Sequence, residues 1–162
     1  MKIRAAIKED LPIILDIMND AILHTTAIYD YHPRTPEFID NWFLKKGEEG
    51  MPVLVCEYEE QAIGFGSYSQ FRTREAYKFS VEHSIYIHKD FRGQGMGSQL
   101  MEALIESAKS QQFHTLVAGI DAENKGSIHF HEKFRFKEVA HFHEVGFKFN
   151  RWLDLIFMQL FL

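Results

Sequence analysis

Three glycines alternate in Arg92-Gly93-Gln94-Gly95-Met96-Gly97, and no other stretch of the chain restricts its local fold as much. A strand-like run precedes them. In Val81 to His88, Val81, His83, Ile85 and Ile87 share one face, and Glu82, Ser84, Tyr86 and His88 share the other. After the glycines, Leu100, Leu104, Ser107 and Ala108 recur at helical spacing. Glycine has no Cβ, so backbone N–H groups can turn toward one point and a ligand can approach closely. The helix that follows adds its own unpaired N–H groups and the positive end of its dipole. Strand, loop and helix together make a site for a phosphate or pyrophosphate.

Two familiar nucleotide loops do not fit. A P-loop needs Gly-x-x-x-x-Gly-Lys-Ser/Thr, and the lysine is missing. A dinucleotide fingerprint needs G-x-G-x-x-G, whereas the spacing here is G-x-G-x-G. The loop reads as one that holds a diphosphate without cleaving it, and no catalytic metal is implied.

The rest of the chain frames this unit. Ile3 to Ala6 reads as a strand. Leu11, Ile14, Leu15, Met18 and Ile22 mark a helix that starts close to Lys8–Asp10, since Pro12 is tolerated only in a first turn. His24 to Pro36 reads as a long loop and Pro36 to Lys46 as a second helix. Met51 to Tyr58 and Ala62 to Phe71 form a hairpin across Glu59-Glu60-Gln61. Gly64 and Gly66 in its second strand mark a bulge or a close backbone approach. Thr115 to Ile120 is a buried strand and Asn124 to Phe134 a short helix. Phe136 to Phe142 is a strand, Glu144 to Arg151 a loop, and Leu153 to Leu162 the last strand. This predicts one mixed α/β domain over residues 1–162, with antiparallel strands first and βα units later.

Charge and cysteine usage narrow the setting. With 18 Lys+Arg against 23 Asp+Glu the net charge is −5, which disfavours nucleic acid as a partner. No apolar run reaches the length of a membrane span, and Met1 to Ala6 lacks the apolar region of a secretory signal. The lone Cys56 cannot form an internal disulfide, which fits a reducing cytoplasm.

R-G-x-G-x-G after a buried strand resembles the acetyl-CoA loop of the GNAT superfamily of N-acetyltransferases. Asn124-x-x-Ser127-x-x-x-His131 on the next helix agrees with it. Three further stretches are similar to the branch that acetylates phosphinothricin and methionine sulfone or sulfoximine. They are Val81-Glu82-His83-Ser84-Ile85-Tyr86-Ile87, Ser127-Ile128-His129-Phe130-His131-Glu132, and Val145 to Leu155 with its Phe-Lys-x-x-Arg-Trp-x-Asp pattern. The chain departs from the family at Arg135-Phe136, where relatives carry Gly before an aromatic. Arg135 must then turn left-handed or the helix must end differently.

The resemblance implies a central, mostly antiparallel mixed sheet with two splayed parallel strands, flanked by helices. It implies acetyl-CoA as co-substrate and no metal. Ile85, Tyr86 and Ile87 would pair with the pantetheine arm. Arg92, Gly93, Gln94, Gly95, Met96, Gly97 and Ser98 would hold the pyrophosphate, and Asn124 and Ser127 would touch the cofactor from the later helix. Glu82 would be the base that deprotonates the acceptor amine, and His131 the acid that protonates the departing thiolate. A small amino-acid acceptor would be bound by Arg72, Thr73, Arg74, Glu82, His83 and Ser84, the arginines meeting its carboxylate. Members of the branch are homodimers.

Other readings compete residue by residue. By residue type alone Glu82 is a solvated strand residue, His131 a surface helix residue, and Arg72 and Arg74 ordinary loop charges. His83 shares a face with Val81 and Ile85 and reads as a satisfied core histidine. His129 and His131 face different ways on a helix and form no chelate. His141 and His143 share a strand face, but a metal there needs a third ligand that the sequence does not show. Phe147, Phe149, Trp152 and Phe157 read as core, pocket wall or subunit interface. For the whole chain the alternatives are an acetyltransferase for protein N-termini or polyamines, and a CoA-binding regulatory module without turnover.

Overall fold

The computed structural model describes residues 1–162. Its elements run β1 (Lys2–Ala5), α1 (Leu11–His24), α2 (Pro36–Glu48), β2 (Val53–Tyr58), β3 (Gln61–Gln70) and β4 (Ser80–Ile87). They continue with α3 (Met96–Ser110), β5 (Thr115–Asp121), α4 (Lys125–Lys133), β6 (Lys137–Lys148) and β7 (Arg151–Phe161). The order of strands and helices is the one the sequence predicts. All seven strands lie in one sheet, β1-β2-β3-β4-β5-β7-β6.

Every pairing is antiparallel except β4 with β5. That parallel pair is short: Ser80↔Thr115, Val81↔Leu116 and Glu82↔Val117. Beyond Glu82, β4 stays paired only with β3, through Ile87, while β5 stays paired with β7, through Asp121. The sheet therefore opens at Glu82, as the resemblance implies. From Ser84 onward one backbone edge of β4 has no strand beside it.

Strand alternation sorts the core into two layers. On one face Val53, Val55, Ala62 and Phe65 pack under α1 and Ile39 of α2. On the other, Tyr68, Val81, Leu116, Ala118, Ile156 and Met158 pack with Met101, Leu104 and Ala108 of α3 and with Phe136. Helix α1 carries Pro12 in its first turn, and Asp10 before it accepts the Ile7 N–H (2.8 Å) and pairs with Arg4. Thr35 caps α2 through the Phe38 N–H (3.2 Å).

Two local expectations resolve. Both are present on β3: Ile63 is the extra residue of a bulge between Gly64↔Cys56 and Ala62↔Glu57, and the same strand carries the close approaches. A Cβ on Gly66 would stand 2.8 Å from Leu104 of α3. Arg135 turns left-handed at φ 68°, as the departure from the family pattern requires.

One expectation fails. Glu144 to Arg151 is not a loop, because β6 continues to Lys148 and turns on Phe149-Asn150, both at positive φ. What disguised the strand is an irregularity. Phe142 faces Leu155 and Gly146 faces Leu153, so His143-Glu144-Val145 stand opposite Asp154 alone. Extra residues break the period-2 pattern from which a strand is read.

Candidate active site

The glycine loop is built for approach from outside. After β4 a single 3-10 turn, Lys89–Phe91, leads to Arg92, and Gly95 is the N-cap of α3. Gly93 and Gly95 sit at φ 77° and 83°, and a Cβ on either would meet nothing within 4 Å. The left-handed backbone, not crowding, is what requires glycine there. The N–H groups of Gly93, Gln94 and Gly95 make no backbone hydrogen bond, while that of Ser98 is already bound to Gly95 O (3.1 Å). Met96 is buried beside Cys56, Ile63 and Leu100 and anchors the loop. Arg92 donates to Ile87 O (3.1 Å) and approaches Asp20 of α1 (3.4 Å), so its guanidinium stays at the base of the loop.

Glu82 sits where β4 and β5 part. Its Oε1 would be 3.1 Å from a Cβ on Gly119, so the carboxylate reaches across the gap to β5. Burial pushes the Glu82 carboxyl up, against the pull of Arg72. Farther along the same face Ser84 is exposed, and Tyr86 is packed on Phe65 with ring centroids 5.3 Å apart. Ile85 and Ile87 face the other layer, where Ile87 lies beside Gly97. Phe130 of α4 approaches that same glycine. Arg72 lies over the Phe71 ring at 4.0 Å and donates to Phe71 O (2.7 Å). Thr73 and Arg74 are exposed, and Arg74 forms no ion pair. Arg72 is likewise exposed and forms no ion pair, and of the two arginines it alone pulls on the Glu82 carboxyl.

His131 is placed otherwise than its residue type suggests. It is buried, not on the surface. Its Nδ1 is 2.7 Å from Ser127 O, and its Nε2 is 3.2 Å from Nε2 of His83. A carbonyl only accepts, so the His131 proton sits on Nδ1 and its Nε2 accepts from His83. Burial pushes His131 down and His83 to about 3. His83 is a core histidine, as its face predicts, but not a satisfied one: its Nδ1 is buried without a partner. Asn124 acts as the N-cap of α4, with Oδ1 accepting the Ser127 N–H (3.0 Å). The Asn-x-x-Ser spacing is thus a helix-capping pattern as well as a family motif.

Sequence reading missed three polar groups that tie α1, α2 and their connection to the sheet. Tyr29, in the α1–α2 connection, packs on Gly146, where a Cβ would be 2.6 Å from its ring, and donates to Asp154 O (3.3 Å). Burial, with Asp121 near by, pushes its phenol up to about 12. Lys148 of β6 is buried and holds the same connection, with Nζ on Ile22 O (2.6 Å), Thr25 O (2.8 Å) and Ile28 O (2.5 Å). Lys46 of α2 is buried and bonds Tyr68 O and Ser69 Oγ, both at 2.6 Å, beside the Ser69↔Glu82 pair. Only the Phe-Lys-x-x-Arg-Trp stretch carried a hint of any of these.

The model of the Acetyltransferase (GNAT) family matches residues 15–136, which include the glycine loop, Glu82 and α4. The chain belongs to the GNAT acetyltransferase family. The L-methionine sulfoximine/L-methionine sulfone acetyltransferase of Pseudomonas paraeruginosa is 43% identical over 159 residues, covering 98% of this chain and 92% of that protein. Among solved structures, an N-acetyltransferase from Staphylococcus aureus Mu50 superposes with TM-score 0.98 at 46% identity, over 99% and 97% of the two chains. A GNAT superfamily phosphinothricin acetyltransferase from Sinorhizobium meliloti, in complex with acetyl-CoA, gives 0.97 at 33% identity over 99% and 88%. The splayed sheet and the loop are thus those of GNAT enzymes.

Proposed function

We propose that this GNAT enzyme transfers the acetyl group of acetyl-CoA to the α-amine of a small amino acid or analogue of the methionine sulfone, methionine sulfoximine or phosphinothricin type. The observation that carries the reading is Glu82, a half-buried carboxylate at the point where the parallel strands part. The likeness to the Pseudomonas enzyme supports the substrate class.

The chain's own groups divide the work. The free N–H groups of Gly93 to Gly95 and the start of α3 receive the pyrophosphate, with Arg92 at their base. The open edge of β4 from Ser84 to Ile87 receives the pantetheine amides. A backbone N–H near Tyr86–Ile87 polarises the carbonyl under attack. Acetyl-CoA supplies the activated acyl group. Glu82 takes the first proton from the ammonium, directly or through water, and exposes the nitrogen lone pair. The second amine proton leaves as the N–C bond forms and satisfies the departing sulfur. No separate acid is then needed, which agrees with the burial of His131. His131 and His83 instead act as positioning residues that tie α4 to β4. Cys56 is buried and forms no acyl-enzyme.

The test is CoA-thiol release across methionine sulfone, methionine sulfoximine, phosphinothricin, polyamines and a short peptide. Selective turnover of the first three is expected, and turnover of peptide or polyamine alone would overturn the substrate assignment. Arg72→Ala is expected to raise KM for the amino acid about tenfold or more, while Arg74→Ala leaves it within about twofold. Gly95→Ala forces a side chain into a left-handed backbone, costing about 1 kcal/mol in the loop. We expect the Kd for acetyl-CoA to rise about fivefold to tenfold, measured by calorimetry.

The exposed Phe147, Phe149 and Trp152 at the β6–β7 end support a homodimer that covers them. No helix is long and apolar enough to cross a membrane, and the free Cys56 fits a cytoplasmic enzyme.

A further inference from the structure

We propose that His141, His143 and Asp154 form a binding site for one zinc-class divalent cation on the outer hairpin of the sheet. The donor atoms already converge. His141 Nε2 is 2.8 Å, and His143 Nδ1 2.9 Å, from the same oxygen of Asp154, Oδ2. The two imidazoles stack with centroids 4.2 Å apart. All three ligand atoms lie within 4.8 Å of one another.

The β6 irregularity creates this convergence. A regular strand would place His141 and His143 on one face but opposite two different residues of β7. With His143-Glu144-Val145 looped opposite Asp154 alone, both rings reach one carboxylate. Glu144, at φ 50°, turns its own N–H onto the other oxygen, Asp154 Oδ1, at 2.8 Å. That bond orients the carboxylate from behind, as outer-shell donors do in metal sites. Two imidazoles and one carboxylate are the donor set of open zinc sites, which leave a fourth position to water.

The chemistry of loading is simple. Both rings now donate an N–H to Asp154. Each must present a lone pair to the cation, so its proton moves to the other ring nitrogen. His143 is largely exposed, and its other nitrogen can exchange that proton with water. Neutral imidazoles bind in this way without net loss of a proton. Metal–ligand bonds of about 2.0–2.2 Å in a tetrahedron put donor atoms about 3.3 Å apart. Small rotations of the exposed rings achieve that spacing.

The site lies apart from the reaction. Leu155 and Phe157 pack toward Gly119 and thus toward Glu82, so alternation points Asp154 to the opposite face. The Asp154 carbonyl, however, holds both the Ala122 N–H (2.9 Å) and the Tyr29 hydroxyl. A bound cation would therefore stiffen the strand on which Tyr29 and the end of β5 rest.

The experiment uses the untagged full chain, stripped with chelator and titrated with Zn²⁺ against a chromophoric competitor, and separately with Co²⁺. We expect one equivalent bound with micromolar or tighter Kd, Co²⁺ absorption bands of four-coordinate intensity, and a Tm raised by about 5 °C at 100-fold excess over Kd. His143→Ala, at an exposed position that the fold does not need, should weaken Zn²⁺ about 100-fold, and Asp154→Asn at least as much. Millimolar binding, or micromolar binding that His143→Ala leaves unchanged, would overturn the site. If Asp154→Asn unfolds, the His143→Ala result decides alone.

Discussion

Glu82→Gln is expected to lower kcat/KM for the amino-acid acceptor about 10²–10³-fold at neutral pH, with the Kd for acetyl-CoA within about twofold of wild type. The amide keeps the shape and hydrogen-bonding reach of the carboxylate but cannot take a proton. Its place is set by backbone geometry: Glu82 is the last residue of β4 paired with β5, and its side chain spans to Gly119. The pH profile provides the second readout. Burial raises the Glu82 carboxyl above the ordinary range, and Arg72 opposes that shift. A base works only when deprotonated, so the rate falls as pH drops through this raised value. Arg72→Ala removes the opposing charge, and the acid limb should then move to higher pH. Steady-state kinetics between about pH 5 and 9 checks both statements. A Glu82→Gln enzyme with wild-type kcat/KM and an unchanged acid limb would remove Glu82 from the chemistry.

Lys148→Met carries the largest expected cost in stability, about 3 kcal/mol, seen as a fall in Tm of about 6–12 °C. The ammonium donates to three carbonyls, at Ile22, Thr25 and Ile28. Ile22 and Thr25 stand at the end of α1, where the final carbonyls have no partner within the helix. Met fills a similar volume but leaves all three acceptors without a donor. Burial lowers the Lys148 amine, a cost already met in the native state, and relief of that cost limits the net loss. The connection that Lys148 ties down also carries Tyr29 over Gly146. Activity should therefore fall with stability, through a higher KM for the acceptor. Thermal unfolding and KM measured together separate this from simple destabilisation at a distant site.

Much of the fold was legible because its signals are local. The alternation of Val81, His83, Ile85 and Ile87, the helical spacing of Leu100, Leu104 and Ala108, and the first-turn Pro12 each report backbone conformation within a few residues. The end of β6 was not legible. Its extra residues between Phe142 and Gly146 shift the phase of the pattern, and the sense of a bulge lies in its partner strand. The same holds for His131. One residue among polar neighbours on a short helix reads as surface, yet it is buried against His83, 48 positions away.

The sequence by itself determined the glycine loop, the order of elements and the place of Glu82 on the open face of β4. Each follows from residues adjacent in the chain, where steric limits on φ and ψ and strand alternation act. Only the tertiary structure decided which charges meet. It buried His131 against His83, hung Tyr29 and the end of α1 from β6 and β7, and gathered His141, His143 and Asp154 at one point. Those contacts join segments 10 to 126 residues apart. Their energies depend on burial and on strand register, which exist only once the sheet has closed.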